Sequence, residues 1–224
     1  MWRMSIILCL CLTSPAQAQT PPSVAEIAGY DGLHWAAQVG DIPAIRQLVG
    51  QGADVNAQDA GGRTPAHVAA FASNDDALMA LAAAGADMNA LEDGVYDVLT
   101  IAAVANDPRM VSLALDLGNR PDLITSVYDG TALIAAAHLG HHEVVRRLIE
   151  GGAPLDHVNN LGWTALIEAV ILGDGGPDHV RTIQYLVEGG ADLSIPDRDG
   201  VTALQHAQVR HYRAIAEIIA AGGK

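Results

Sequence analysis

The sequence predicts an all-α solenoid of about six helix–turn–helix units joined by short turn fingers, and three observations predict it. The first is a recurring segment. Thr64-Pro65-Ala66-His67-Val68-Ala69-Ala70 stands beside Thr131-Ala132-Leu133-Ile134-Ala135-Ala136-Ala137, Thr164-Ala165-Leu166-Ile167-Glu168-Ala169 and Thr202-Ala203-Leu204-Gln205-His206-Ala207, with weaker copies beginning at Asp31 and Asp97. The starts near 31, 64, 97, 131, 164 and 202 lie 33, 33, 34, 33 and 38 residues apart. The second is a glycine column, Gly52, Gly85, Gly118, Gly152 and Gly190, that keeps the same steps. The third is apolar residues at helical spacing between the two columns, as in Ala44-Ile45-Arg46-Gln47-Leu48-Val49. A fixed period of this length marks stacked supersecondary units, each burying its apolar face only against its neighbours.

The elements follow in chain order. Residues 1–18 carry the features of a signal peptide: Arg3, an apolar run from Ser5 to Leu12, and Ala16-Gln17-Ala18, with cleavage expected before Gln19. The run is too short to span a bilayer, which takes about 20 apolar residues, and no later stretch is long and apolar enough. Both cysteines, Cys9 and Cys11, lie in this segment, and Leu8 and Leu10 before them disfavour lipidation. The mature chain would then hold no disulfide and no thiolate metal site. Residues 19–30 form a capping segment in which Ser23 and Glu26 make the Ser-x-x-Glu pattern of a capping box. Residues 31–224 form the repeat domain. In each unit a Thr or Asp N-caps the first helix, Pro65 suits its first turn, and the small alanine pair lets helices approach closely. The glycine column ends the second helix by adopting a left-handed conformation. Stretches such as Gln58-Asp59-Ala60-Gly61-Gly62-Arg63 turn the chain into the next unit. The long step holds an insertion, Gly173 to His179, expected as an exposed loop between the two helices of the fifth unit. Polar residues such as Gln208, Arg213 and Glu217 cap the last unit.

Composition excludes several classes. Half the residues are hydrophobic and 4% aromatic, enough for a packed core. With 12 Lys+Arg against 26 Asp+Glu the net charge is -14, and losing Arg3 with the leader makes it about -15. That balance argues against nucleic acid and against anionic lipid, and it disfavours self-association, so a monomer is expected.

The recurring segment, together with Gly52-Ala53-Asp54-Val55-Asn56, Gly85-Ala86-Asp87-Met88-Asn89 and Gly140-His141-His142-Glu143-Val144-Val145, resembles the ankyrin repeat over about residues 31–221. The third unit departs most, with Asp97-Val98 for Thr-Pro and Asn119-Arg120-Pro121 for Ala-Asp-Val. The resemblance implies an ankyrin-repeat solenoid that binds a protein through a concave side built of turn tips and first helices. Carried over, the tips are Arg63, Tyr96, Tyr128, Trp163 and Val201. The solvent-side ends of the first helices are Val39, Phe71, Val104, Leu139, Ile171 and Val209. The partner-binding set read from this is Arg63, Phe71, Tyr96, Tyr128, Leu139, Trp163 and Ile171. Aromatic side chains bury large area at low entropic cost, which favours them as anchors. Asp59, Glu92, Asp93, Asp129, Asp197 and Asp199 would add an acidic rim suited to a basic or amphipathic protein partner.

A search for chemistry finds little. His138, His141 and His142 with Glu143 could serve a zinc or nickel site, but Gly140 interrupts the helix that would hold them on one face. His141 occupies the inter-helix histidine position of the family, and His34 and His67 its signature histidine, all expected as structural hydrogen bonders. His157, His179, His206 and His211 have no evident partners in the sequence. No nucleophile–base constellation, P-loop or dinucleotide fingerprint is present, so no catalytic residue, cofactor or metal is assigned. The expected function is a periplasmic or secreted, non-catalytic protein-binding module, with a toxin-immunity or oxidative-stress role. The competing readings are a metal-binding or hydrolytic protein using His138–His142, and an exported host-directed effector.

Overall fold

The computed structural model describes residues 20–222. Those residues form a short N-terminal helix, α1 (Val24–Gly29), and six helix pairs. The pairs are α2 (Gly32–Val39) with α3 (Ile42–Gly50), α4 (Pro65–Phe71) with α5 (Asp75–Ala83), and α6 (Val98–Val104) with α7 (Pro108–Asp116). They continue with α8 (Ala132–Leu139) and α9 (His142–Glu150), α10 (Ala165–Ile171) and α11 (Pro177–Glu188), and α12 (Ala203–Val209) and α13 (Arg213–Gly222). The first helices of the pairs stack in sequence as an inner layer, and the second helices form an outer layer. Between α5 and α7 the outer layer is bridged by an ion pair, Arg109 to Asp75 at 2.9 Å. The all-α repeat solenoid expected from the sequence is therefore the observed architecture.

Local chemistry places the helix ends where the two columns lie. Asp31, Thr64, Asp97, Thr131, Thr164 and Thr202 are the N-caps of the inner helices. The expected capping box closes α1: the Glu26 backbone N–H donates to Ser23 Oγ at 3.3 Å, and the Ser23 backbone N–H donates to the Glu26 carboxylate at 2.7 Å. Gly52, Gly85, Gly118, Gly152 and Gly190 all have φ between 84° and 95°, one residue beyond the caps of the outer helices. Side chains at these sites would strain the left-handed backbone.

The core lies between the layers and is continuous along the array. Ala36-Ala37, Ala69-Ala70, Ala102-Ala103 and Ala136-Ala137 are buried on the inner helices, against Ile45, Leu78, Leu81, Val111, Leu148, Ile183 and Ile215 of the outer ones. Each unit is thus stable only with its neighbours in place.

The signature histidines are structural, as expected. His67 Nδ1 accepts from the Thr64 N–H at 3.1 Å and lies 2.8 Å from the Thr64 hydroxyl. Its Nε2 must then carry the proton, which it donates to the carbonyls of Ala90 and Tyr96 at 3.0 and 3.2 Å. His34 Nε2 reaches the Arg63 carbonyl at 2.9 Å, and His141 Nδ1 the Ala103 carbonyl at 3.0 Å.

The insertion is not simply a loop. Pro177, Asp178 and His179 form the first turn of α11, which runs 12 residues where α9 runs 9. His179 Nε2 donates to the His138 carbonyl at 3.0 Å, and its Nδ1 lies 3.0 Å from Asp174. Gly173 is buried, and its carbonyl accepts from the Tyr212 hydroxyl at 2.9 Å. Proline at the first helical position preorganises this turn, so the added residues lengthen the outer helix.

Candidate functional site

The fingers are tight turns that share one geometry. In the second to sixth fingers, each numbered by the unit it leads into, the backbone N–H of Gly62, Val95, Asp129, Gly162 and Gly200 donates to the carbonyl three residues earlier. These five residues all have φ between 57° and 87°. An acceptor side chain closes each turn from within. Asp59 accepts from the N–H groups of Gly61 and Arg63, Asn159 from Leu161 and Trp163, and Asp197 from Asp199 and Val201. Ser126 Oγ does the same for Tyr128 and Gly130, and Glu92 accepts from Tyr96. Hydrogen bonds then join neighbouring fingers. The Asp93 N–H donates to the Gly61 carbonyl at 3.1 Å and the Asn160 N–H to that of Tyr128 at 2.9 Å. The Arg198 guanidinium reaches the Asn160 carbonyl.

This geometry corrects three expectations. Asp59, Glu92 and Asp197 do not form a free rim, because their carboxylates are committed to turn amides. Asp59 and Asp197 expose 11% and 7% of their side chains. Asp93, Asp129 and Asp199 remain exposed. Tyr128 is not the counterpart of Arg63, Tyr96 and Trp163. The left-handed residue of its finger is Asp129, so Gly130 takes that place and Tyr128 matches Gly61 and Leu161. Arg63 is not available to a partner. It is 7% exposed, and its guanidinium donates to Glu26 at 2.9 Å and to Asp59 at 3.2 Å.

The other expected contact residues divide. Phe71, Tyr96, Trp163 and Ile171 are half-buried and pack on the core. Burial and the nearby Glu92 push the Tyr96 phenol up. Leu139 and Tyr128 are each 42% exposed. Val39 and Val209 are exposed too, whereas Val104 and Val201 are half-buried. The inner helix α2 also exposes Trp35, the C-cap of α10 exposes Leu172, and the fingers expose Leu91, Val127, Val158 and Leu161, none of which the repeat pattern marks as contacts. Trp35 occupies the column of Val68 and Ile101, which are buried, but no preceding repeat covers it. A tryptophan at the buried column of a first repeat is a signal the sequence does contain. Glu168, in the same column, is 7% exposed; it accepts from Asn159 at 2.8 Å and lies 3.4 Å from His138 Nδ1.

The outer face is different in kind. Its surface carries ion pairs such as Arg146 with Glu143 and Glu150, Arg147 with Glu150, and Arg213 with Glu217. A shallow groove runs between α3 and α5 beside Ile42, Val49 and Met79. The His138–His142 run does not converge: His138 faces Glu168, His141 the Ala103 carbonyl, and His142 sits beside Asp178 and stacks on Tyr185. Among the described residues no cluster of three or more histidine or acidic groups is arranged to hold a metal ion, and no helix is long and apolar enough to cross a membrane.

Comparison with known proteins agrees with this architecture. The model of the family described as ankyrin repeats (3 copies) matches residues 8–92, 33–124 and 99–197. The ankyrin repeat protein YahD of Escherichia coli (strain K12) is 32% identical over 190 residues, covering 84% of this chain and 94% of that protein. An ankyrin repeat domain from Acinetobacter baumannii AYE has 39% identity and a TM-score of 0.78, covering 85% of this chain and 97% of that one. A chain in the structure of a predatory endopeptidase from Bdellovibrio bacteriovorus in complex with an immunity protein has 25% identity and a TM-score of 0.70, covering 86% of this chain and 98% of that one. The repeat columns, the paired helices and these matches together establish that the chain belongs to the ankyrin repeat family.

Proposed function

We propose that this protein is an exported, non-catalytic module that binds another protein through its inner helices and fingers. The observation that carries the reading is the asymmetry of exposed apolar side chains. Trp35, Val39, Leu139, Leu172 and Val209 lie on or at the ends of inner helices, and Leu91, Ile124, Val127, Tyr128, Val158 and Leu161 on the finger segments. Among the described residues Met79 is the one large hydrophobic exposed on an outer helix, and Val24 is exposed on α1, outside both layers. Exposed apolar residues concentrated on one face mark an interaction site, while the ion-paired outer face suits solvent. Export rests on Arg3, the apolar run from Ser5 to Leu12 and Ala16-Gln17-Ala18, all outside the described residues. The likeness to a chain from an endopeptidase–immunity protein complex favours a restraining role, in which binding blocks an exported enzyme.

The test is affinity capture from native envelope extract. The tagged protein is run beside a Trp35→Ser/Leu139→Ser variant and a Met79→Ser control. Expected is one protein retained by the wild type and the control and lost by the inner-face variant, with the captured protein inhibited on binding. Loss through Met79→Ser alone would move the site to the outer face and overturn the reading. Sequencing of the protein recovered from the periplasm checks export, with Gln19 expected as its first residue.

A further inference from the structure

We infer that the tips of the fourth and fifth fingers form a docking edge for a basic amphipathic helix of the partner; this rests on the protein-binding reading above. Val127, Tyr128 and Leu161 are 53%, 42% and 37% exposed, and all three stand at the two outermost positions of adjacent fingers. The corresponding positions of the second finger hold Ala60 and Gly61, which offer no such bulk. The apolar cluster is rigid. The Asn160 N–H donates to the Tyr128 carbonyl at 2.9 Å, and its side-chain amide donates to the Val127 carbonyl at 3.1 Å. A preorganised apolar cluster binds without first losing conformational freedom.

The flanks select the charge of the occupant. Asp93, Asp129 and Asp199, on the third, fourth and sixth fingers, are exposed, and none spends its carboxylate on a turn amide as Asp59, Asn159 and Asp197 spend their side chains. The nearby cation, Arg198, turns back onto the Asn160 carbonyl. Stacked helices lie about 8–10 Å apart, so the third to the sixth finger span about 30 Å. That is the length of about 20 helical residues. A helix with an apolar stripe for Val127, Tyr128 and Leu161, and Lys or Arg beside it for the three carboxylates, matches the edge in pattern and reach. A second copy of this chain, at a net charge of -14, does not.

The probe is a synthetic peptide of about 20 Leu and Lys residues in amphipathic helical order, titrated into the isotopically labelled protein at about 150 mM salt. Amide shifts are expected on the fourth and fifth fingers. Val127→Ser/Tyr128→Ser/Leu161→Ser should weaken binding at least about tenfold. Asp93→Asn/Asp129→Asn/Asp199→Asn should weaken it and flatten its salt dependence. Trp35→Ser/Leu139→Ser should leave it within about twofold. The substituted side chains are exposed, and an unchanged thermal midpoint confirms that the variants fold. Binding centred on α2 and α8, equal binding of the Leu/Glu counterpart, or no binding overturns the assignment. The capture experiment leaves the tips intact and decides the broader reading separately.

Discussion

The Arg63 guanidinium donates to the Glu26 carboxylate at 2.9 Å, and this contact docks α1 onto the second finger. Around it, the Tyr30 hydroxyl donates to Asp59 at 2.8 Å, and Asp59 also receives the Arg63 backbone and side chain. Burial disfavours the charge on Arg63, but hydrogen bonds to Glu26 and Tyr30 and the field of Asp59 more than offset it and push its pKa up. Removing the guanidinium leaves Asp59 and Glu26 without their cation. Arg63→Ala is expected to destabilise the protein by about 1–3 kcal/mol and to raise amide exchange in α1, read by denaturation and by hydrogen exchange. Unchanged exchange in residues 24–29 would show that α1 is held by other contacts.

The same network sets a pH window. The Ser23 hydroxyl and backbone N–H, and then Arg63, hold the Glu26 carboxyl at about 2, below its ordinary 4.5. Its contribution is complete above pH 4.5 and is lost as pH falls toward 2. Burial, and then the hydrogen bond to Asp59, push the Tyr30 phenol up to about 12 from 10. Its contribution is complete below pH 10 and is lost as pH rises toward 12. Protection of α1 amides, corrected for intrinsic exchange, should therefore stay level between these limits and fall on both sides.

His67 predicts a second, milder pH effect. Burial holds its pKa below the ordinary 6.5, although the Tyr96 and Ala90 carbonyls pull the other way. The unfolded chain gains a proton near 6.5 that the folded chain resists, so stability is full above 6.5 and declines as pH falls below it. Chemical denaturation at about pH 7.5 and 5.5 should show a larger loss for the wild type than for His67→Gln. His67→Ala should cost about 3 kcal/mol at neutral pH, since two carbonyls and the Thr64 cap lose their partner.

Val95 is a β-branched residue held at φ 63° in the third finger, where the second, fifth and sixth fingers have glycine. That conformation strains the backbone by about 1–3 kcal/mol, and the added freedom of glycine in the unfolded chain offsets about 0.5–1 kcal/mol of any relief. Val95→Gly is expected to stabilise the protein by about 1 kcal/mol, read as a raised thermal midpoint. A lower midpoint would mean that the valine side chain contributes more packing than its backbone costs.

Two left-handed glycines separate backbone strain from crowding. A Cβ at Gly52 meets nothing within 4 Å, so Gly52→Ala is charged with strain alone, about 1 kcal/mol. A Cβ at Gly140 meets the His179 ring at 2.9 Å, and that ring is pinned by the His138 carbonyl and Asp174. Gly140→Ala should cost at least about 2 kcal/mol, and adding His179→Ala should recover part of the difference, measured as a double-mutant cycle.

Much of the fold was legible because its signals are local. Thr64, Thr131, Thr164 and Thr202 cap helices, Ser23 and Glu26 form a box, and Gly52, Gly85, Gly118, Gly152 and Gly190 take the left-handed conformation. Each of these depends on residues a few positions away. The turn-closing roles of Asp59, Asn159 and Asp197 are local as well, since each stands three residues before a left-handed glycine.

The sequence by itself determined the repeat period, the helix caps and the family, because backbone preference and apolar spacing act within one unit. The stacking of one unit on the next decided which side chains meet solvent. It buried Arg63 under α1, half-buried Phe71, Tyr96, Trp163 and Ile171, and left Trp35, Val127 and Leu161 exposed. It also lengthened α11 through an insertion that reads as a loop. Exposure depends on the neighbouring repeat's side chains, some 30 residues distant in sequence, and helical spacing within one repeat carries no record of them.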